Sequence, residues 1–234
     1  MPPKAKTAKK SALLLQSQNL KSGKRLAPSQ RAEHILRGAI RFFAEHGFSG
    51  QTRELATELG ISKGLLYRYF PSKEALIERV YEEVFLRRWS PKWQTILTDH
   101  NRPLIERLKV FYVDYAKLPL EYEWGRIYLY SGLAGASLNR RYTKLVADRI
   151  FTRVISELRR EFGFPSIARI EITEPESELI WSLHGSIFYI GMRRWVYHVD
   201  VPSDINAAIE QLVDGFYANA KSVMDAALTR NKAS

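Results

Sequence analysis

Apolar residues recur along most of this chain at three- and four-residue steps, the period of an α-helix viewed from one side. The first clear run opens at Pro28-Ser29. Ile35, Leu36, Ala39, Phe42 and Phe43 share a face, and Gly47 follows His46 where a helix C-cap is expected, with Phe48 folding back. Thr52 to Leu59 predicts a second, short helix that Gly60 breaks. Ser62 is placed to cap a third helix through Tyr69, and Ser72, after Pro71, to cap a fourth from Lys73 to about Arg88. From Arg102 onward the predicted helices lengthen, covering 103–118, 121–137, 140–162, 175–197 and 203–229. Pro119, Gly132 with Gly135, Gly163-Phe164-Pro165 and Pro202 separate them. Thr173-Glu174-Pro175-Glu176 has capping-box spacing before an apolar run. Ile167 to Ile172 alternates like a strand but has no partner strand nearby, so it predicts a loop. With no repeats and no sustained heptads, the pattern predicts an all-α protein of about nine helices.

The segment Leu55-Ala56, Gly60-Ile61 and Leu66 has the spacing of a helix-turn-helix, and each position has a physical reason. Two helices crossing over a short turn need a small residue at the crossing, which Ala56 supplies. The turn needs a residue tolerant of positive φ, which Gly60 supplies. Ile61 and Leu66 then point back at the first helix. That leaves Lys63, Leu65, Tyr67 and Arg68 on the outer face of the second, and a helix has the right width for the major groove. Lys63 and Arg68 suit guanine O6 and N7 or phosphates; Tyr67, Tyr69, Thr52 and Lys73 suit phosphate oxygens. Tyr67 and Tyr69 serve equally well as packing residues. Lys73 opens the fourth helix, whose N-terminal amides also favour an anion.

Charge refines this picture without carrying it. The formal net charge is +11, but Lys4, Lys6, Lys9, Lys10, Lys21, Lys24 and Arg25 crowd into a leader without acids. That basic tail, expected to be unstructured over 1–27, suits a polyanion, and it suits equally a plain solvated leader. Residues 29–86 balance eight basic against eight acidic side chains. Any case for DNA there rests on placement, since Lys63, Arg68 and Lys73 cluster while most acids lie elsewhere. Cysteine is absent, and no apolar run approaches the roughly 20 residues of a membrane span. The short run Ala12-Leu13-Leu14-Leu15 gives way at once to polar residues, unlike a secretory signal. The expectation is a soluble cytoplasmic protein.

The motif Gly47-Phe48, Leu55-Ala56 and Gly60-Ile61-Ser62-Lys63-Gly64-Leu65-Leu66-Tyr67-Arg68-Tyr69-Phe70-Pro71-Ser72-Lys73-Glu74-Ala75-Leu76 closely resembles the TetR/AcrR regulators. Their pattern runs Ile-Ala, then Ala-Gly-Val-Ser-x-Gly-Thr-Leu-Tyr-x-Tyr-Phe-x-Ser-Lys-Glu-x-Leu. Beyond this segment the chain agrees only in length, all-helical pattern and helix order. The resemblance implies an N-terminal three-helix helix-turn-helix DNA-binding domain over 28–88, its motif at about 51–70. It also implies a C-terminal helical bundle over 89–234 for ligand binding and dimerisation. It makes Ser62–Tyr69 the recognition helix, puts Thr52 and Arg53 near phosphates, and makes Lys73 a phosphate clamp. Two departures stand out. Leu65 replaces the usual hydroxyl residue, so it can meet a thymine methyl but not bond a phosphate. The loop Phe48-Ser49-Gly50-Gln51 looks one residue short, leaving Gly50 near the N-cap position where Thr is typical.

The C-terminal half is rich in aromatics. By analogy with the family, Phe111, Tyr115, Trp124, Tyr128, Trp181, His184 and Phe188 are candidate walls of a cavity for an apolar or aromatic small molecule. The same spacing also serves ordinary core packing. Gly125, Gly132, Gly135, Gly185 and Gly191 either leave space between helices or permit their close approach. The last two helices would pair with their copies in a homodimer through Ile180, Leu183, Ile187, Ile209, Leu212, Phe216 and Val223. Two recognition helices about one DNA turn apart would then read a palindromic operator. The functional expectation is a repressor released from double-stranded DNA by that effector. The alternative is a DNA-binding activator or chromosome-organising factor without an effector. An enzyme is not expected: His34, His46, His100, His184 and His198 are scattered, Glu174, Glu176 and Glu178 mark the acidic start of a helix, and no metal or cofactor motif appears.

Overall fold

In a computed structural model, residues 27–135 and 137–230 are described. The leader expected to be unstructured lies, but for Ala27, outside them. The chain divides into two units, 1–35 and 36–234. Among the described residues ten helices follow in order: α1 (Pro28–His46), α2 (Thr52–Glu58), α3 (Lys63–Tyr69), α4 (Lys73–Tyr81, prolonged by a π-helical turn over Glu82–Leu86), α5 (Lys92–Thr98), α6 (Leu104–Tyr115), α7 (Tyr122–Leu133), α8 (Ser137–Val146, a π-helical turn over Ala147–Phe151, then Thr152–Phe162), α9 (Glu174–Trp195) and α10 (Ile205–Arg230). No strand occurs among the described residues, and Ile167–Ile172 is loop. The helix beyond the predicted nine is α5. Its two turns bury only Trp93 and Leu97, too few positions to register as a period. The sixth helix stops at Tyr115, short of the predicted 118: Lys117 and Leu118 N–H donate three residues back, in tight turns that lead into Pro119.

Within the second unit, α6 and α8 supply the centre of the core through Leu104, Leu108, Phe111 and Tyr112 with Val154, Ile155 and Leu158, all buried. The tenth helix packs on α9 and α6, and α7 on α8 and α9. Glycine works in both of the ways foreseen. At Gly191 a Cβ would come 2.6 Å from the Pro119 carbonyl, so the glycine lets α9 approach that loop; at Gly185 a Cβ would meet nothing within 4 Å.

Packing overturns most of the predicted dimer contacts. Ile180, Leu183, Ile187, Ile209 and Phe216 are buried inside the protomer, while Leu212 and Val223 are half-buried. The apolar stripes of α9 and α10 seal the protomer's own core and are unavailable to a partner. What these helices turn outward is different: Trp181, Ser182, Gly185, Ser186 and Tyr189 on α9, and Gln211, Gly215, Ala218 and Ser222 on α10.

Candidate nucleic-acid interface and ligand cavity

The turn between α2 and α3 is built by glycine. Gly60 N–H donates to the Thr57 carbonyl and Ile61 N–H to the Ala56 carbonyl, both at 3.0 Å, with Gly60 at φ +63°. This paired closure needs a left-handed residue just past the helix end. A Cβ on Gly60 would meet nothing within 4 Å, so the demand is purely conformational. Gly60→Ala is therefore expected to cost about 1–2 kcal/mol, measured by urea unfolding. Gly60→Asn is expected to cost less, since Asn tolerates that region better.

Ala56 and Leu66 are buried at the crossing and Ile61 half-buried. Ser62 Oγ accepts from Leu65 N–H at 3.1 Å, and Ser72 Oγ from Ala75 N–H at 3.0 Å, so each serine caps its helix. Such a cap contributes about 1 kcal/mol. At α2 the cap is Gln51 rather than Gly50. The Gln51 N–H donates to the Glu54 carboxylate at 3.2 Å, while Gly50 closes a turn onto the Gly47 carbonyl. The short loop is thus absorbed before the helix begins.

The predicted DNA contacts do not all stand alike. Arg53, Ser62, Lys63, Gly64 and Arg68 are exposed, while Leu65, Tyr67, Tyr69 and Lys73 are half-buried. Thr52 is buried, its hydroxyl 2.9 Å from that of Tyr67. A hydroxyl pair leaves one proton over, so Tyr67 can still donate outward when Thr52 donates to it. Lys63 Nζ lies 5.5 Å from the centre of the Tyr67 ring. Lys73 stands beside Glu74. That carboxyl is held below its usual pKa chiefly by its own backbone N–H, then by the Ser72 hydroxyl, and less by Lys73.

Five of the eight acids that neutralise this region by count are occupied away from α3. Glu54 binds the Gln51 N–H, Glu58 meets His46, Glu78 pairs with Arg141, and Glu82 and Glu83 pair with Arg79 and Arg87. Neither Lys63 nor Arg68 forms an ion pair among the described residues. A region with no net charge on paper therefore presents uncompensated cations along one helix, the arrangement a polyanion needs.

Residues 35–80 match the family model described as bacterial regulatory proteins, tetR family. Over 50 residues the chain is 48% identical to the uncharacterized HTH-type transcriptional regulator YerO of Bacillus subtilis, covering 21% of this chain and 17% of that protein. Over 104 residues it is 30% identical to the HTH-type transcriptional repressor KstR2 of Mycolicibacterium smegmatis, covering 44% and 49%. The chain thus spans about half or less of these relatives' length. Its fold superposes on a TetR-like transcriptional regulator from Rhodococcus sp. RHA1 with a TM-score of 0.55 at 17% identity, covering 85% of this chain and 99% of that one. Residues 35–80 are thus similar to the helix-turn-helix segment of the tetR family of bacterial regulators.

Tyr115, Trp124, Tyr128, Trp181, His184 and Phe188 line one cavity of about 120 Å³ between α6, α7, α8 and α9. Phe111 lies outside it, its ring packed on Trp93, Tyr112 and Tyr115. Tyr142, Thr143 and Val146 of α8, which the sequence did not single out, complete the wall with Pro119 and Gly185. Their signal was present: Leu138, Tyr142 and Val146 repeat at four-residue steps. No Asp, Glu, Lys or Arg lines the cavity. Burial pushes the His184 pKa down to about 3, so the ring is neutral at physiological pH. Burial also raises the phenols of Tyr115 and Tyr142, which stay protonated.

Two sets of contacts join this cavity to the helices on either side of the helix-turn-helix. In the π-helical turn of α4, Phe85 packs edge-on against Trp124 at 5.1 Å and at a tilt against Tyr142 at 5.2 Å, both cavity walls. The seventh helix presents Trp124 and Tyr128 to the cavity and a polar clamp to α1. Arg126 Nε donates to the Ala44 carbonyl at 2.6 Å, and Tyr122 Oη to Glu45 Oε1 at 2.5 Å. A cation on the last carbonyls of a helix complements its dipole. Arg141 of α8 grips Glu78 of α4 through two bonds of 2.7 and 2.8 Å, which hold the Glu78 carboxyl below its usual pKa. None of these contacts was foreseen, for they join residues far apart in the chain.

Proposed function

We propose that this protein is a transcriptional repressor that grips a palindromic operator as a homodimer and releases it when a small aromatic effector fills the cavity. DNA enters against α3. Lys63 and Arg68 reach base edges, Leu65 offers a methyl surface to thymine, and Arg53, Ser62, Tyr67, Tyr69 and Lys73 hold phosphates. The backbone of Gly64 allows close approach to the duplex. Thr52 acts through Tyr67, fixing that phenol rather than touching DNA.

The observation that carries the effector half of this proposal is Phe85. This side chain belongs to α4, which follows the recognition helix, and packs on two walls of the cavity. A molecule that displaces Trp124 or Tyr142 must therefore displace Phe85 or be refused. The Arg126 and Arg141 clamps convey the same movement to α1 and α4. Ligand binding then favours the arrangement with altered head separation, a population shift of the usual coupling size, about 1–3 kcal/mol.

For the dimer, the outward surfaces of α9 and α10 are the fitting ones. Trp181 and Tyr189 stand 38% and 53% exposed beside Ser182, Gly185 and Ser186. Aromatics next to small residues allow close helix approach with large apolar burial. Selection of bound sequences from a random DNA pool tests the proposal. The expected result is an inverted repeat, its half-sites one DNA turn or a multiple apart. Recovery of sequences without any repeat would overturn the palindrome and favour a chromosome-organising role.

A further inference from the structure

We propose that the effector is a small, uncharged, single-ring aromatic bearing a hydroxyl group, a molecule of the phenol class. This rests on the effector proposal above and adds to it the chemistry of the ligand. Three observations lead to it.

Size comes first. The cavity holds about 120 Å³, and roughly 150 Å³ of apolar space suffices for one benzene-sized ring. Drug-sized ligands take about 300–1,000 Å³. The space is of single-ring size, smaller than a fused polycycle or a long acyl chain needs. The walls are aromatic and pack on one another, edge-on for Tyr128 and Phe188 at 5.5 Å and stacked for Trp124 and Tyr128 at 5.1 Å, so a ligand ring continues an existing pattern.

Charge comes second. With no acidic or basic side chain in the wall and His184 held neutral, an ionised carboxylate, phosphate or ammonium has no counter-charge. Bringing a bare charge into such a site costs several kcal/mol.

The polar atoms decide the functional group. Trp124 Nε1, Tyr142 Oη and both ring nitrogens of His184 are buried and make no well-formed hydrogen bond among the described residues, although the Tyr115 hydroxyl stands near that of Tyr142 and the Ile180 backbone near the His184 ring. All three residues line the cavity. A neutral imidazole offers one donor and one bare acceptor nitrogen. The wall therefore offers donors from Trp124, Tyr142 and His184, and an acceptor at His184. A hydroxyl answers most of this set, its two lone pairs receiving from two of the three donors and its one proton going to the bare imidazole nitrogen. A carbonyl leaves the bare imidazole nitrogen unmet. An aromatic amine brings two protons where one is wanted and little acceptor strength. A hydrocarbon ring leaves every one of these groups unpaired.

Isothermal titration calorimetry of the full chain with phenol, toluene, benzoate and aniline tests this. Phenol is expected to bind saturably at one site per chain, at least about tenfold tighter than each of the other three, the factor one well-made hydrogen bond supplies. The inference is overturned if phenol shows no saturable binding, or if any of the other three matches it. Trp124→Phe and His184→Phe are each expected to weaken phenol several-fold while leaving toluene binding unchanged. Toluene thereby reports that the cavity is intact. Equal losses for both ligands would overturn the hydrogen-bonding role. Operator binding measured without ligand reads the DNA-binding proposal separately, so its failure and the failure of the phenol class are told apart.

Discussion

Replacing Lys63 and Arg68 together by alanine is expected to lower operator affinity by at least about 30-fold at fixed salt, since each base-edge contact contributes roughly 1–3 kcal/mol. The fold is expected to survive. Both side chains are exposed, neither makes an ion pair among the described residues, and the Ser62 cap and buried Leu66 that hold α3 are untouched. Gel-shift titration against the selected operator reads the affinity; circular dichroism and the melting temperature read the fold. The single variants separate the roles. If one of the cations touches only phosphate, its loss weakens all sequences alike and lowers the salt slope by about one. If it touches a base, discrimination at one operator position relaxes. Unchanged affinity in the double variant would mean that α3 does not read DNA at all.

The readability of this chain followed the range of its interactions. The helix-turn-helix was legible because its constraints are local. Ala56 at the crossing, Gly60 at positive φ and Ser62 as cap act within a few residues of one another. Most of the cavity wall was legible too, because Trp124 with Tyr128, and Trp181 with His184 and Phe188, lie one turn or two apart on a common face. Phe111 misled because its helix is aromatic on adjacent faces, and its own side is spent on Trp93 and Tyr112. The dimer residues misled for a deeper reason. Hydrophobic periodicity marks what a helix buries, and it does not say whether its own protomer or a second one does the burying. On α9 the apolar stripe through Ile180, Leu183 and Ile187 goes to the protomer, leaving a serine- and glycine-lined surface that hydropathy ranks low. The Phe85 contact and the Arg126 and Arg141 clamps were invisible, since each links separate helices and no short pattern encodes it.

Arg159→Met is expected to destabilise the protein by about 3–5 kcal/mol, the usual consequence of removing one partner from a buried ion pair. In a chain of this length that lowers the melting temperature by on the order of 10 °C. Arg159 and Glu176 are each 1% exposed, joined by two bonds of 2.7 Å. The same guanidinium donates to the carbonyls of Pro165, Ile170 and Glu171, fastening the loop between α8 and α9. Glu176 also accepts from the Thr173 N–H and hydroxyl at 2.8 and 2.7 Å, which anchors the start of α9. Burial alone would raise the Glu176 pKa, but Arg159 and Thr173 outweigh it and hold the carboxyl below the usual 4.5. Its contribution to stability is thus fully present above pH 4.5 and lost as pH falls through the lower, folded-state value. In the variant the sign reverses. Glu176 stays buried without its counter-charge, its pKa rises above 4.5, and acid relieves the strain by protonating it. The stability gap between the two proteins, followed by urea unfolding, should therefore be widest at neutral pH and narrow as the solution is acidified toward pH 4. A gap that stays constant over that range would mean that the lost packing of Arg159, rather than an orphaned carboxylate, accounts for the loss. Arg159→Met combined with Glu176→Leu is expected to recover part of the stability, though not all of it, because the three loop carbonyls still lack their donor.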